Sequence, residues 1–89
     1  MISDTVFRQI IEYLSTKTPS IYRVIKIRVD NIETGVYIYV EVIIEYGNNI
    51  FDVLKEFKDK IKKEIEKLTT MNVYQIDITA KGVHMEGDE

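Results

Sequence analysis

The chain has 89 residues, of which 45% are hydrophobic and 30% are charged, with a formal net charge of −3, no cysteine and one histidine. This length predicts a single domain over residues 1–89 with one small core, and the acidic balance excludes a general basic footprint for nucleic acid or anionic lipid. Without cysteine, disulfides, thiolate zinc sites and cysteine nucleophiles are excluded, and a single histidine excludes most catalytic triads and multi-histidine metal sites.

The first predicted element is an amphipathic helix from Ser3 to about Ser15. Ser3 suits the N-cap position, and Pro19 prevents the helix from continuing because it disfavours helical geometry in the residue before it. The apolar residues of this segment recur at helical spacing and predict a single buried face. They are Val6, Phe7, Ile10, Ile11 and Leu14.

Two strands are predicted next, from Ile21 to Asn31 and from Val36 to Tyr46, because the hydrophobic period changes to two. In the first strand Ile25, Ile27 and Val29 lie on one side and predict its buried face. In the second strand all even-numbered residues are apolar. The short connection between the two runs predicts a β-hairpin.

A helix of about five turns is predicted to begin at Ile50, with Asn49 as its N-cap. Its apolar stripe consists of Ile50, Val53, Leu54, Phe57, Ile61, Ile65 and Leu68. A third strand is predicted from Val73 to about Val83. Its inward side consists of Tyr74, Ile76, Ile78 and Ala80. Residues 84–89 are predicted to form a flexible tail.

The predicted fold is α+β, a two-layer α-β-β-α-β arrangement with both helices on one face of a three-stranded sheet. The sequence leaves open whether the third strand pairs with the first or with the second. If the third strand runs parallel to the second, the connection through the long helix should be a right-handed crossover. With both helices on one face, the opposite face of the sheet is expected to be open.

This open face is the candidate interaction surface. Its candidate residues are Tyr22, Lys26, Arg28, Tyr37, Tyr39 and Ile43. Tyrosines beside basic residues are compatible with stacking of single-stranded RNA bases, which would use all of these residues except Ile43. Glu41, Glu45 and Asp77 share the face and would repel phosphate, so that protein association or self-association is the preferred interpretation.

No catalytic, cofactor or metal site is predicted. The carboxylates of Glu41 and Glu45 should lie about 13 Å apart on a strand, too far to act on one bond, and no glycine-rich phosphate loop occurs. The lysines of the long helix alternate with acidic residues and predict a solvated, salt-bridged surface. His84 is followed by acidic residues, but a flexible tail with one imidazole does not form an ordered metal site. No small-molecule substrate is therefore inferred.

Three segments together resemble the alkaline shock protein family of Gram-positive bacteria. They are the opening Ile2–Val6, the strand Val36–Gly47 that leads through Asn-Asn-Ile50 into the long helix, and the closing strand Val73–Val83. The most specific parts are Glu45-Tyr46-Gly47 and Lys81-Gly82-Val83. The resemblance extends over nearly the whole chain.

This resemblance implies a small non-enzymatic protein of cell-envelope homeostasis or stress response that acts through self-association or protein partners. The N-terminus contains no basic region followed by an apolar stretch, so no secretory signal is expected. We therefore expect a cytoplasmic location, with any contact to a membrane made only indirectly, through a partner.

Overall fold

The structure, a computed structural model, describes residues 4–69 and 71–85. Two helices and three strands follow one another in the predicted order. They are α1 (Asp4–Thr16), β1 (Ile21–Ile32), β2 (Gly35–Glu45), α2 (Ile50–Thr69) and β3 (Val73–His84). The predicted α+β class and the α-β-β-α-β order are confirmed. The predicted N-cap Ser3 and most of the predicted tail, residues 86–89, lie outside the described residues.

The sheet has the order β1-β2-β3, which settles the strand order that the sequence left open. β1 and β2 pair antiparallel as the predicted hairpin, and β3 pairs parallel to β2 after the chain crosses over through α2. β2 is therefore the central strand. It brings residues from both ends of the chain into one sheet.

Apolar side chains from both helices and all three strands form a single buried cluster. β2 contributes every even-numbered residue from Val36 to Ile44, all of them at most 1% exposed. Phe7 and Ile11 enter the cluster from α1, and Phe57 and Ile61 are among the residues that enter from α2. Because one cluster contains all of these side chains, both helices lie on the same face of the sheet.

Bulges change the predicted inward pattern of the two outer strands. β1 has an irregularity between Val24 and Lys26, so that Val24 lies opposite Val42 and packs against the core. Ile25, which was predicted to be buried beside Ile27, is 40% exposed, because the extra residue shifts the alternation by one position.

In β3 the alternation shifts for the same reason. The register has an irregularity between Val73 and Gln75, and Tyr74, predicted to face inward, is exposed while Val73 is buried. β3 also continues to His84, so that this residue belongs to the strand rather than to the predicted tail.

The ends of the helices depart from the predicted stripes. Ile50 and Leu68 are exposed because they lie in the first and last turns of α2, and Val6 is exposed in the same way near the start of α1. Asn49 acts as the predicted N-cap, since its Oδ1 accepts a hydrogen bond of 3.2 Å from the backbone N–H of Asp52.

Candidate functional site

The face of the sheet opposite the helices carries the odd-numbered side chains of β2. Tyr37, Tyr39, Glu41, Ile43 and Glu45 alternate with the buried even-numbered residues and are all half-buried. The residues that lie beside them in register complete what we call the open face. They are Arg23, Lys26, Arg28 and Asp30 of β1 and Gln75, Asp77, Thr79, Gly82 and His84 of β3.

Five of the predicted interaction residues lie within this register. Lys26 is the partner of Glu41, and Arg28 is the partner of Tyr39. The sheet therefore brings Lys26, Arg28 and Tyr39 together as neighbours.

Tyr37 lies between Asp30 and Gln75. Ile43 lies beside Gly82, and a Cβ atom added to Gly82 would lie 3.4 Å from Cδ1 of Ile43. The missing side chain of Gly82 therefore leaves room over β3 for the isoleucine.

Tyr22 lies at one end of the open face, where its side chain links β1 to β3. Its ring is stacked on the imidazole of His84, with centroids 3.8 Å apart and an interplanar angle of 5°. Nδ1 of His84 lies 3.0 Å from Oε1 of Glu45. The backbone N–H of Glu45 also donates a 2.9 Å hydrogen bond to Ser20, so that side chains and backbone hold this corner in place.

Hydrogen bonds orient both tyrosines of the open face. The hydroxyl of Tyr37 donates to Oδ2 of Asp77 at 2.6 Å, and Nε2 of Gln75 donates to both carboxylate oxygens of Asp77. The hydroxyl of Tyr39 donates to Oε2 of Glu41 at 2.8 Å. The two rings are therefore fixed by bonds within the face.

The Tyr37–Asp77 bond changes the acidity of both groups. Because Asp77 accepts hydrogen bonds from Tyr37 and then from Gln75, the pKa of its carboxyl is lowered. The same hydrogen bond, followed by desolvation and by the negative charge of Asp77, raises the pKa of Tyr37. Each group thus holds its partner in the protonation state that the bond requires.

Both signs of charge are present on the open face. Lys26 and Arg28 lie on β1, and Nε of Arg28 forms an exposed salt bridge of 3.3 Å with Asp30. Glu41 and Asp77 lie on the two other strands, and each accepts a bond from a tyrosine. An arrangement of this kind suits a partner that also carries both signs better than it suits a phosphate backbone.

The most exposed apolar side chains lie away from this face, where the sequence did not predict them. Phe51 is 84% exposed and Tyr46 is 67% exposed, at the corner where β2 ends and α2 begins. Met85 is also exposed, and its neighbour His84 accepts a backbone hydrogen bond from Tyr46. We call Tyr46, Phe51 and Met85 the corner patch. The sequence contains a signal for this patch in the pair Ile50-Phe51, because two adjacent residues at the start of a helix do not both face the core.

Two shallow clefts occur on the helix side. One has a volume of about 280 Å³ between α2 and β3, and the other has a volume of about 270 Å³ between α1 and α2. Within residues 4–69 and 71–85, no three or more histidine and carboxylate side chains are grouped so as to hold a metal ion. Neither helix, over its described residues, is long and apolar enough to cross a bilayer.

Comparison with known families gives one match over most of the chain. The sequence model of the alkaline shock protein family, described as having a cell envelope-related function, matches residues 1–85. Among curated proteins, no significant match to this sequence is found.

Solved structures of the MamM CTD have a similar fold. Its copper form is 11% identical with a TM-score of 0.75, covering 97% of this chain and 91% of that chain. The zinc form of a variant is 11% identical with a TM-score of 0.74, covering 94% of this chain and 89% of that chain. At this level of identity the similarity shows the shared fold alone.

Proposed function

This chain belongs to the alkaline shock protein family, whose function is related to the cell envelope, and on that premise we propose that it is a non-enzymatic association protein. Its open face binds a second copy of the chain. The assembled protein acts in cell-envelope homeostasis or stress response from the cytoplasm, and it reaches the membrane only through a partner protein.

The observation that carries this proposal is the fixed geometry of the open face. Tyr37 and Tyr39 are half-buried, and their hydroxyls are bonded to Asp77 and Glu41 before any partner arrives. Two aromatic rings that are already ordered lose little conformational entropy on binding. Ile43 adds apolar area on the same strand.

The charges of the open face also favour a second copy. A two-fold axis parallel to the strands would place β1 of one copy over β3 of the other and β2 over β2. This arrangement sets Lys26 and Arg28 against the strand that carries Asp77. A self-complementary patch of this kind is what a closed two-fold dimer requires.

Single-stranded RNA receives less support from the same face. The tyrosine hydroxyls are bonded to carboxylates, and those carboxylates lie where a phosphate backbone would run. Association with protein therefore remains the preferred function, and RNA binding is an alternative that a titration excludes or establishes.

Backbone amide shifts measured at increasing protein concentration test the proposal. We expect concentration-dependent shifts at odd-numbered positions of β2 and at neighbouring positions of β1 and β3, with none around Tyr13 on the exposed side of α1. Shifts confined to the corner patch, or no shifts at any concentration, would contradict the open face as the association surface.

A further inference from the structure

The cleft beside the edge strand β3, which we call the groove, has the features of a peptide-binding site. It lies between α2 and β3 and has a volume of about 280 Å³. Its apolar part is formed by Leu54, Ile76 and Ile78, which belong to the core or pack against it. A short apolar side chain could rest there without displacing any part of the fold.

The strand beside this groove has a free edge. Within residues 4–69 and 71–85, β3 is an edge strand that pairs only with β2, so alternate residues direct their N–H and C=O groups away from the sheet. An extended segment can add to such an edge through backbone hydrogen bonds, and a helix alongside then provides the pocket for its side chains. In this chain α2 is that helix.

The charges around the groove select the kind of segment. Lys55 and Lys58 line it from α2, and neither forms a salt bridge in the described part of the chain. Asp77 also lines it, and its carboxyl has a lowered pKa because of the hydrogen bonds from Tyr37 and Gln75 and, to a smaller extent, the positive charge of Lys58. Two lysines against one carboxylate therefore leave the lining of the groove with a net positive charge above an apolar floor.

We infer that the groove between α2 and β3 binds an extended acidic segment of a partner protein, which adds as a fourth strand beside β3. Alternate apolar residues of that segment rest on Leu54 and Ile78. Its carboxylates lie near Lys55 and Lys58. Asp77 borders both sites, but Leu54, Lys55 and Lys58 lie on α2, so a dimer formed through the open face leaves the helix side of the groove accessible.

A blocked synthetic peptide of alternating glutamate and valine is the probe, added to the isotope-labelled full chain. We expect saturable amide shifts along β3 and at residues 54–58 of α2. The same peptide with lysine in place of glutamate, and a version with alternate backbone nitrogens methylated, should not bind. Binding by the lysine peptide, or shifts on β1 and at the odd-numbered positions of β2 in place of β3 and α2, would overturn the inference, as would no binding by the glutamate peptide.

Two charge-reversal variants of α2, one inside the groove and one outside it, provide a matched comparison. Lys58→Glu should weaken binding of the glutamate peptide by about tenfold, because an attraction becomes a repulsion at an exposed site. Lys63→Glu makes the same charge change on α2 outside the groove and should leave the affinity within about twofold. Equal losses in both variants would show that only net charge matters and would contradict the site. Both variants are compared at a concentration at which each is monomeric, so the outcome does not depend on the proposed self-association.

Discussion

The hydroxyl of Tyr37 lies 2.6 Å from Oδ2 of Asp77 and donates a hydrogen bond to it across the junction of β2 and β3. The two residues are 40 positions apart in the sequence, and the parallel pairing of their strands brings them together. Their bond orders an aromatic ring on the central strand of the open face. It also joins the hairpin to the strand that follows the long helix.

The Tyr37–Asp77 bond should make stability depend on pH at both extremes. The lowered pKa of Asp77 contributes stability that is complete above the ordinary aspartate pKa of 3.8 and is lost as pH falls through the lowered value. The raised pKa of Tyr37 contributes stability that is complete below the ordinary tyrosine pKa of 10.0 and is lost as pH rises through the raised value. Tyr37→Phe removes the Tyr37 contribution and the largest part of the Asp77 contribution, while the hydrogen bonds from Gln75 to Asp77 remain.

Urea unfolding of the wild type and Tyr37→Phe at several pH values measures this effect. We expect the wild type to be more stable between these two pH limits, with the difference shrinking beyond each of them. Tyr13→Phe is the matched control, since no hydrogen bond involves the Tyr13 hydroxyl among the described contacts. A difference that stays constant across the whole pH range would contradict the assigned bond.

Two glycines of the described residues have a positive φ, and they should differ in their tolerance of a side chain. Gly35 has φ of 144°, and an added Cβ would overlap the backbone carbonyl oxygen of Asn72, whose position is also fixed by a 3.0 Å bond from the N–H of Val36. Gly47 has φ of 95° and open space around it. We expect Gly35→Ala to cost about 3 kcal/mol and Gly47→Ala about 1 kcal/mol in free energy of unfolding.

Chemical denaturation of the two alanine variants gives these values directly. Since both substitutions place alanine at a positive φ, the difference between them reports the overlap at Asn72. Equal losses in the two variants would show that this overlap is relieved at no cost.

The stacked pair Tyr22 and His84 should be energetically coupled. A double-mutant cycle with Tyr22→Leu and His84→Leu is expected to give a coupling free energy of about 1 kcal/mol, typical of stacked aromatic pairs. A cycle of Tyr13→Leu with His84→Leu is the control and should give additive losses. Additivity in the first cycle would mean that the stack does not hold the corner of the open face.

Single-stranded RNA should not bind at low salt. Fluorescence titration with a labelled pyrimidine oligonucleotide is expected to show no saturable binding to the wild type. Replacing Glu41 and Glu45 by glutamine should produce weak, salt-sensitive binding, because two phosphate-repelling charges are removed. Binding by the wild type that is lost in Tyr39→Ala would instead establish the open face as an RNA surface.

The predictions from the sequence were most accurate for β2, whose even-numbered residues are buried along the whole strand. The even-numbered residues of β2 were identified as apolar and they form the centre of the core, because a central strand has to keep its register on both sides. Ile25 and Tyr74 were assigned to the wrong side, since bulges in β1 and β3 shift the alternation. Such bulges depend on how two strands fit together, and neither strand alone specifies them.

The candidate site was predictable as a set of residues but not as a network. The outward side of β2 follows from its alternation, so that Tyr37, Tyr39 and Ile43 could be named. The bond to Asp77 could not be predicted, because it requires β3 to pair with β2 and the sequence left that order open. The stack of Tyr22 on His84 was missed because His84 had been assigned to the tail.

The most direct test of the central claim is sedimentation equilibrium of the wild type and of two variants with matched substitutions. We expect the wild type to form a dimer as its concentration rises, Ile43→Ser on the open face to weaken dimerisation by at least about tenfold, and Phe51→Ser in the corner patch to dimerise like the wild type. Circular dichroism should show that both variants are folded. A wild type that stays monomeric at every concentration, or a dimer that Phe51→Ser disrupts and Ile43→Ser does not, would contradict self-association through the open face.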